Sequence, residues 1–319
     1  MSVLLLQFDG KLPNLALMRL AAHYNGDVEL RQPRTASDIQ PELWDNHDAV
    51  YGSLVFEKSR NLAEYAQYVY PNIILGGTGW DLTTTLEQHD VGAAVDYSLY
   101  PNYQHSIGYT QRGCRFRCPF CIVSEKEGRN KSVATIADVW RGGVNPRNVV
   151  LLDNDFFGQP EWRERIGEIR EGDFKVSFNQ GVNVRTINDE TAEALASVKY
   201  YDDGFTTRRI YTAWDNPKDE ERLMRGLDTL VRYGIKPYQI MVYMLIGYWP
   251  GETVADWKHR RKTLRDFGAM PYPMPYIRNK QTVGFQRWIV GAYDKRVPWD
   301  KWEAADYNPK KLTAAPAPQ

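Results

Sequence analysis

All three cysteines of this 319-residue chain, Cys114, Cys118 and Cys121, fall inside one stretch, GYTQRGCRFRCPFCIVSEKEG (residues 108–128). Thiolates bind soft metals, and a C-x3-C-x2-C spacing lets one loop wrap a single centre. Two kinds of centre compete for it. Structural zinc takes four ligands, usually from two cysteine knuckles or a Cys/His pair. A fourth cysteine is absent from the chain, and the nearest histidine, His105, lies on the preceding predicted strand. A 4Fe–4S cluster suits the count better, because three thiolates hold three irons and leave the fourth open to a ligand. Three uncoordinated thiols are the remaining reading.

The elements that must position this loop read as α/β throughout. Residues 2–8 form a continuous apolar run, as in a strand buried on both faces. A helix is expected over 14–24, strands over 27–32 and 48–56, a helix over 60–70 and a strand over 72–80. This alternation predicts a doubly wound parallel sheet for residues 1–100. Gly76, Gly77, Thr78 and Gly79 follow its last strand at the carboxyl end, where open parallel sheets bind ligands. A tight strand-to-loop turn explains the same glycines, and the full G-x-G-x-x-G pattern is absent.

The alternation restarts over residues 101–280. Strands are expected at 105–110, 148–154, 174–180, 208–214, 238–247 and 274–279, with the clearest helices at 219–234 and 254–268. Six βα units in one direction predict a partial (β/α)6 barrel with its chemistry at the carboxyl ends of the strands. Residues 281–319 read as a helical extension with a frayed Pro/Ala-rich tail. Tyr211, Trp214 and Asp215 fall near the expected mouth of the barrel, where an aromatic pocket competes with a plain core role. The five histidines make no metal spacing, and Lys258–Arg261 reads as a solvated helix face.

Lys+Arg and Asp+Glu number 40 each, so the net charge is zero. That balance points away from nucleic acid as a partner while leaving a local basic patch open. No apolar run approaches the roughly 18–20 residues of a membrane helix, and the N-terminus reads as a strand rather than a signal peptide. Three cysteines make no disulfide framework, which suits a reducing cytoplasm.

Cys114-x3-Cys118-x2-Cys121, with Phe120 before the last cysteine, a strand before the loop and five βα units after it, resembles the radical S-adenosylmethionine (radical SAM) family. The resemblance covers roughly residues 105–280, and residues 1–100 resemble the cobalamin-binding-type Rossmann domain that precedes some such cores. It implies that the three cysteines ligate three irons while the amino and carboxylate groups of S-adenosylmethionine (SAM) chelate the fourth. An electron from the cluster then yields methionine and a 5′-deoxyadenosyl radical that abstracts hydrogen from a substrate. The donor of that electron would be a protein such as flavodoxin or ferredoxin.

The family's glycine-rich second-strand end is replaced here by LLDNDFFG (151–158). Asp153 and Asp155 would then meet the methionine ammonium, or cap a helix. Asn179 and Gln180 suit ribose hydroxyls or a polar substrate, and Arg185 suits the methionine carboxylate. Ile246 and Gly247 would flank adenine, and Glu252 reads as a first-turn helix residue. A cobalamin-dependent methyltransferase is the second enzymatic reading, although no D-x-H-x-x-G sequence occurs. Methylthio transfer needs cysteines for a second cluster, and none remain. A non-catalytic iron–sulfur or zinc binding module is the reading from another class.

Overall fold

A computed structural model describes residues 1–41 and 46–312. It divides into two compact units that break between Ile107 and Gly108. The expected frayed tail, residues 313–319, lies outside the described residues.

The first unit runs β1 (Ser2–Gln7), α1 (Leu15–Tyr24), β2 (Asp27–Arg31), β3 (Ala49–Ser53), α2 (Arg60–Val69) and β4 (Ile74–Gly76). Its sheet is wholly parallel with order β2-β1-β3-β4. The continuous apolar run of β1 is explained by two cores. Val3 and Leu5 pack with Leu17 and Leu20 of α1, while Leu4 and Leu6 pack with Ala63 and Ala66 of α2. Each such leucine contributes about 1.5–3 kcal/mol by leaving water. Asn14 caps α1, accepting from the backbone of Ala16 and Leu17.

The chain crosses that break in β5 (Ser106–Gly108), which leads into a two-rung antiparallel hairpin of β6 (Gln111–Arg112) and β7 (Lys131–Ser132). Between the hairpin strands hang the cysteine loop and the one-turn helix α3 (Val123–Lys126). Then follow α4 (Ile136–Val139), β8 (Asn148–Leu151), α5 (Trp162–Glu171), β9 (Lys175–Phe178), α6 (Asp189–Ala196) and β10 (Lys199–Tyr200). The chain continues through β11 (Ile210–Ala213), α7 (Glu220–Arg232), β12 (Ile240–Ile246), α8 (Val254–Phe267), β13 (Met270–Pro275), α9 (Lys280–Val290) and α10 (Trp299–Ala304).

Two sheets result, ordered β10-β9-β8-β5 and β11-β12-β13, with β8–β9, β9–β10, β11–β12 and β12–β13 pairing in parallel. Where β9 runs on past Phe178, Val182 N donates to Tyr211 O at 2.8 Å and links one sheet to the other. β5, β8, β9, β11, β12 and β13 with their following helices make the six expected βα units. Val149, Leu151, Val176, Phe178, Ile240, Val242 and Met244 face a core shared with Leu227, Leu230 and Leu264 of the helices. Tyr211, Tyr243 and Tyr272 therefore share the opposite face of their sheet, because side chains alternate along a strand. The tryptophans of α9 and α10 join the same helical core.

The sixth strand departs from expectation, lying at Met270–Pro275 rather than 274–279. Three prolines at every second position disguise it, since a proline cannot donate to a ladder. Tyr276 N donates to Ile246 O at 3.0 Å, so the even-numbered residues of β13 face β12. Pro271, Pro273 and Pro275 accordingly point their missing N–H groups away from the sheet, on its edge. Pro273 O on that outer side accepts from Gln286 Nε2 at 2.9 Å.

Candidate functional site

The cysteine loop is pinned at its neck. Gly113 N donates to Glu127 Oε2 at 2.8 Å, Cys114 N donates to Gly128 O at 3.2 Å, and Arg112 pairs with Glu127 at 3.0 Å. Gly113 has φ +80°, and a Cβ there would sit 2.3 Å from Arg129 O, so only glycine lets the two ends of the loop close this tightly. Within the loop Cys121 N donates to Cys118 O at 3.0 Å and Phe116 N donates to Cys114 Sγ at 3.4 Å. Burial pushes the thiols of Cys114 and Cys118 up from their ordinary value.

Three consecutive residues past β8 tie this loop to the parallel strands. Asp153 accepts from Thr110 N at 2.8 Å and Gln111 N at 3.1 Å, and the Thr110 hydroxyl donates to its other oxygen. Asn154 Nδ2 donates to Glu127 Oε2 at 3.1 Å. Asp155 pairs with Arg115 Nε at 3.0 Å and accepts from Arg115 N at 3.3 Å. Gln111 closes the network, accepting from Asp155 N at 3.0 Å and donating to Gly113 O at 2.6 Å. Both aspartates are buried, and burial pushes Asp153 up to about 6. The placement is thus a clamp on the loop. Nor is Asp155 a helix cap, since its side chain makes no bond to the turn that follows.

From the β9 end, Arg185 reaches the same loop. It bonds Asn183 Oδ1 at 3.0 Å and Asp219 Oδ2 at 2.5 Å, its charge acts on the Cys118 thiol, and its guanidinium carbon lies 5.5 Å from the Phe116 ring centre. Asn179 N donates to Leu151 O at 3.0 Å, and Gln180 is exposed beside it. On the far side of the loop Phe120 meets Tyr248 and Trp249 edge-on, with centroids 5.4 and 6.5 Å away. The cysteines, residues 153–155, Arg185 and the β12 end therefore stand together at the carboxyl ends of the parallel strands.

A radical SAM superfamily family model matches residues 109–264. The chain carries a radical SAM domain. Two curated relatives share it. Ribosomal protein uS12 methylthiotransferase RimO of Opitutus terrae is 26% identical over 180 residues, covering 45% of this chain and 37% of that one. A tRNA-2-methylthio-N(6)-dimethylallyladenosine synthase of a Sulfurihydrogenibium species is 23% identical over 175 residues, covering 49% and 39%. The chain spans well under half the length of either relative. Among solved structures, the apo form of OxsB, a cobalamin-dependent S-adenosylmethionine radical enzyme, superposes with a TM-score of 0.56. That match covers 92% of this chain and 55% of OxsB at 13% identity, a likeness of fold.

Elsewhere in the radical SAM domain two sequence expectations are corrected. Glu252 lies before α8, whose cap is Thr253, and it is buried in an ion pair with Arg260. Arg260, expected on a solvated face, is 1% exposed and donates to Trp214 O at 3.0 Å and Leu245 O at 2.9 Å. Glu252 Oε2 also accepts from Gly247 N at 2.8 Å, so the pair fixes the turn after Ile246, where Gly247 has φ +75°. Trp214 is core. Tyr211 stacks on Tyr243 at 5.8 Å across the sheet face opposite that core, and Tyr243 meets Tyr272 at 5.6 Å. Burial pushes the Tyr243 hydroxyl up to about 12 and Asp215 up to about 6. A cavity of about 680 Å³ borders Tyr272, Gln286, Arg287, Tyr293, Trp302 and Tyr307, away from all three cysteines.

In the first unit, Gly77 and Gly79 lie against backbone. Cβ atoms there would sit 2.3 Å from Leu54 O and 2.6 Å from the Phe56 carbonyl carbon, and Gly79 N donates to Leu54 O at 3.1 Å. Gly76 O accepts from Leu54 N at 3.1 Å, and Thr78 completes this turn. Close packing on residues 54–56 accounts for Gly77 and Gly79 without a ligand.

Proposed function

We propose that the protein is a radical SAM enzyme that holds a 4Fe–4S cluster on Cys114, Cys118 and Cys121 and modifies a substrate by hydrogen abstraction. The observation carrying this reading is the loop itself: three thiols, clamped to the carboxyl ends of a parallel βα array, within a radical SAM domain. Among the described residues no three His, Cys, Asp or Glu side chains gather where a single metal ion would sit. A cluster fits these donors, since each thiolate binds a different iron and the sulfurs need not converge on one point.

When bound, the cluster supplies the electron that splits SAM into methionine and a 5′-deoxyadenosyl radical. The chain's part is binding, orientation and exclusion of water. Residues 153–155 hold the loop. Ile246 and Gly247, fixed by Glu252, would flank adenine, Phe120 would close the cofactor against Tyr248, and Asn179 with Gln180 would meet ribose or substrate hydroxyls. The electron would come from flavodoxin or ferredoxin in the cytoplasm. Among the described residues no helix is long and apolar enough to cross a membrane.

A second reading, a cobalamin-dependent methyltransferase, draws on the likeness to OxsB along 92% of the chain. In a doubly wound sheet the ligand crevice lies where strand order reverses, here between β1 and β3. That crevice is bridged by the chain's own side chains. Asp9 accepts from Val55 N at 2.8 Å and Phe56 N at 3.0 Å, and Asn14 Nδ2 donates to Ser53 Oγ at 2.9 Å. These local bonds favour the leading reading, which calls for no cobalamin.

The test is anaerobic reconstitution followed by iron, sulfide and product analysis. One cluster per chain and 5′-deoxyadenosine from SAM and a reductant are expected, both lost when the three cysteines become alanine. Zinc without sulfide would return the binding-module reading. S-adenosylhomocysteine and a methylated product that appear only with added corrinoid would establish the methyltransferase. Mass spectrometry of cell extracts before and after incubation identifies the substrate.

A further inference from the structure

We propose that Arg185 tunes the reduction potential of the cluster through Cys118 and that Asp219 opposes it, a proposal resting on the cluster assignment above. Two donors of the guanidinium are held by the chain itself. Nε serves Asn183 at 3.0 Å and Nη1 serves Asp219 at 2.5 Å, while the guanidinium charge acts on the Cys118 thiol. The Phe116 ring at 5.5 Å covers one face. Arg185 thus has partners within the chain beside the methionine carboxylate expected from sequence.

A cation at a ligating sulfur favours the state with the extra electron, so it raises the potential. When one electron passes from the donor to the cluster, the cluster and its thiolates become more negative by one charge, and Arg185 stabilises that increment. Asp219, half as exposed as Arg185 at 13% against 25%, lies beyond the guanidinium and offsets part of its charge. Asp215, from the β11 end, acts on Cys118 in the opposite sense to Arg185. On the loop itself Arg115 is neutralised by Asp155. Arg185 is thus the adjustable charge in the group, a positioning and tuning residue rather than a reacting one.

The experiment is an EPR-monitored redox titration of the full reconstituted chain without SAM, comparing wild type with R185Q, R185K and D219N. R185Q should lower the midpoint, D219N should raise it, and R185K should lie nearest wild type. Opposite shifts from the two members of one ion pair are not produced by loosened structure. Should R185Q assemble no cluster, D219N decides alone, since it keeps every Arg185 donor, and an unmoved or lowered midpoint there overturns the proposal. Shifts of the same sign in R185Q and D219N overturn it as well. A wild-type chain that takes up no iron and sulfide overturns both the cluster assignment and this proposal, whereas a normal cluster whose midpoint none of the variants moves overturns this proposal alone.

Discussion

Asp155 Oδ2 lies 3.0 Å from Arg115 Nε, so a carboxylate just past β8 grips the residue that follows the first cysteine. The aspartate side chain is 3% exposed and the arginine 38%, which leaves the guanidinium able to find water if its partner goes. Asp155→Ala should therefore lower stability by only about 1–2 kcal/mol. Its larger effect should fall on the loop: cluster loss to a chelator should quicken about 10-fold or more, as for other residues that orient metal ligands. Equal chelator resistance in the variant would remove the clamp from the account.

Asp153 makes a pH prediction. Burial raises its folded pKa from 3.8 to about 6, so the folded state holds a proton that the unfolded state has released. Stability contributed by that proton is complete below about pH 4 and is lost as pH rises through about 6. Asp153→Asn cannot ionise and keeps an oxygen for Thr110 N and Gln111 N. Between pH 4 and 7.5 the wild type should lose on the order of 2–3 kcal/mol relative to this variant in urea unfolding. A difference that stays flat across this range would contradict the raised value.

Gly113 and Gly128 both have positive φ, +80° and +74°, but only the first is crowded. Gly128→Ala should cost about 1 kcal/mol of backbone strain. Gly113→Ala adds a Cβ 2.3 Å from Arg129 O and should cost roughly 2–3 kcal/mol or more. Thermal unfolding of the two variants side by side separates strain from collision; equal losses would mean that the loop neck is not closed as described.

Glu252 and Arg260 are 2% and 1% exposed, so neither charge tolerates losing the other. Glu252→Gln should destabilise by about 3 kcal/mol or more, by stranding a buried guanidinium. Adding Arg260→Met should recover part of that loss, giving a double-mutant coupling above about 1 kcal/mol in chemical denaturation. Additive losses would show that the pair is not an energetic unit.

The parts legible in sequence were those with local signals. The cysteine spacing, the buried run of β1 and the six βα units rest on composition within a few residues. The clamp was not legible, because Asp153, Asn154 and Asp155 meet Thr110, Glu127 and Arg115, partners some 27 to 43 residues away. The hairpin of β6 and β7 has two rungs, too few for any periodicity. Arg260 did leave a trace: Trp257, Arg260 and Leu264 follow one another at helical spacing, and all three are buried. The charged run Lys258–Arg261 around it masks that spacing.

The prolines of β13 reach beyond strand assignment. A further strand beside β13, from this chain or another, would need hydrogen-bond donors along its outer edge, and Pro271, Pro273 and Pro275 offer none. One of their carbonyls is already engaged by Gln286. The array of six is therefore chemically terminated on that side. Its openness is written into pyrrolidine rings, and no change of conformation can stitch the seam shut or let a stray edge from another molecule zip onto it.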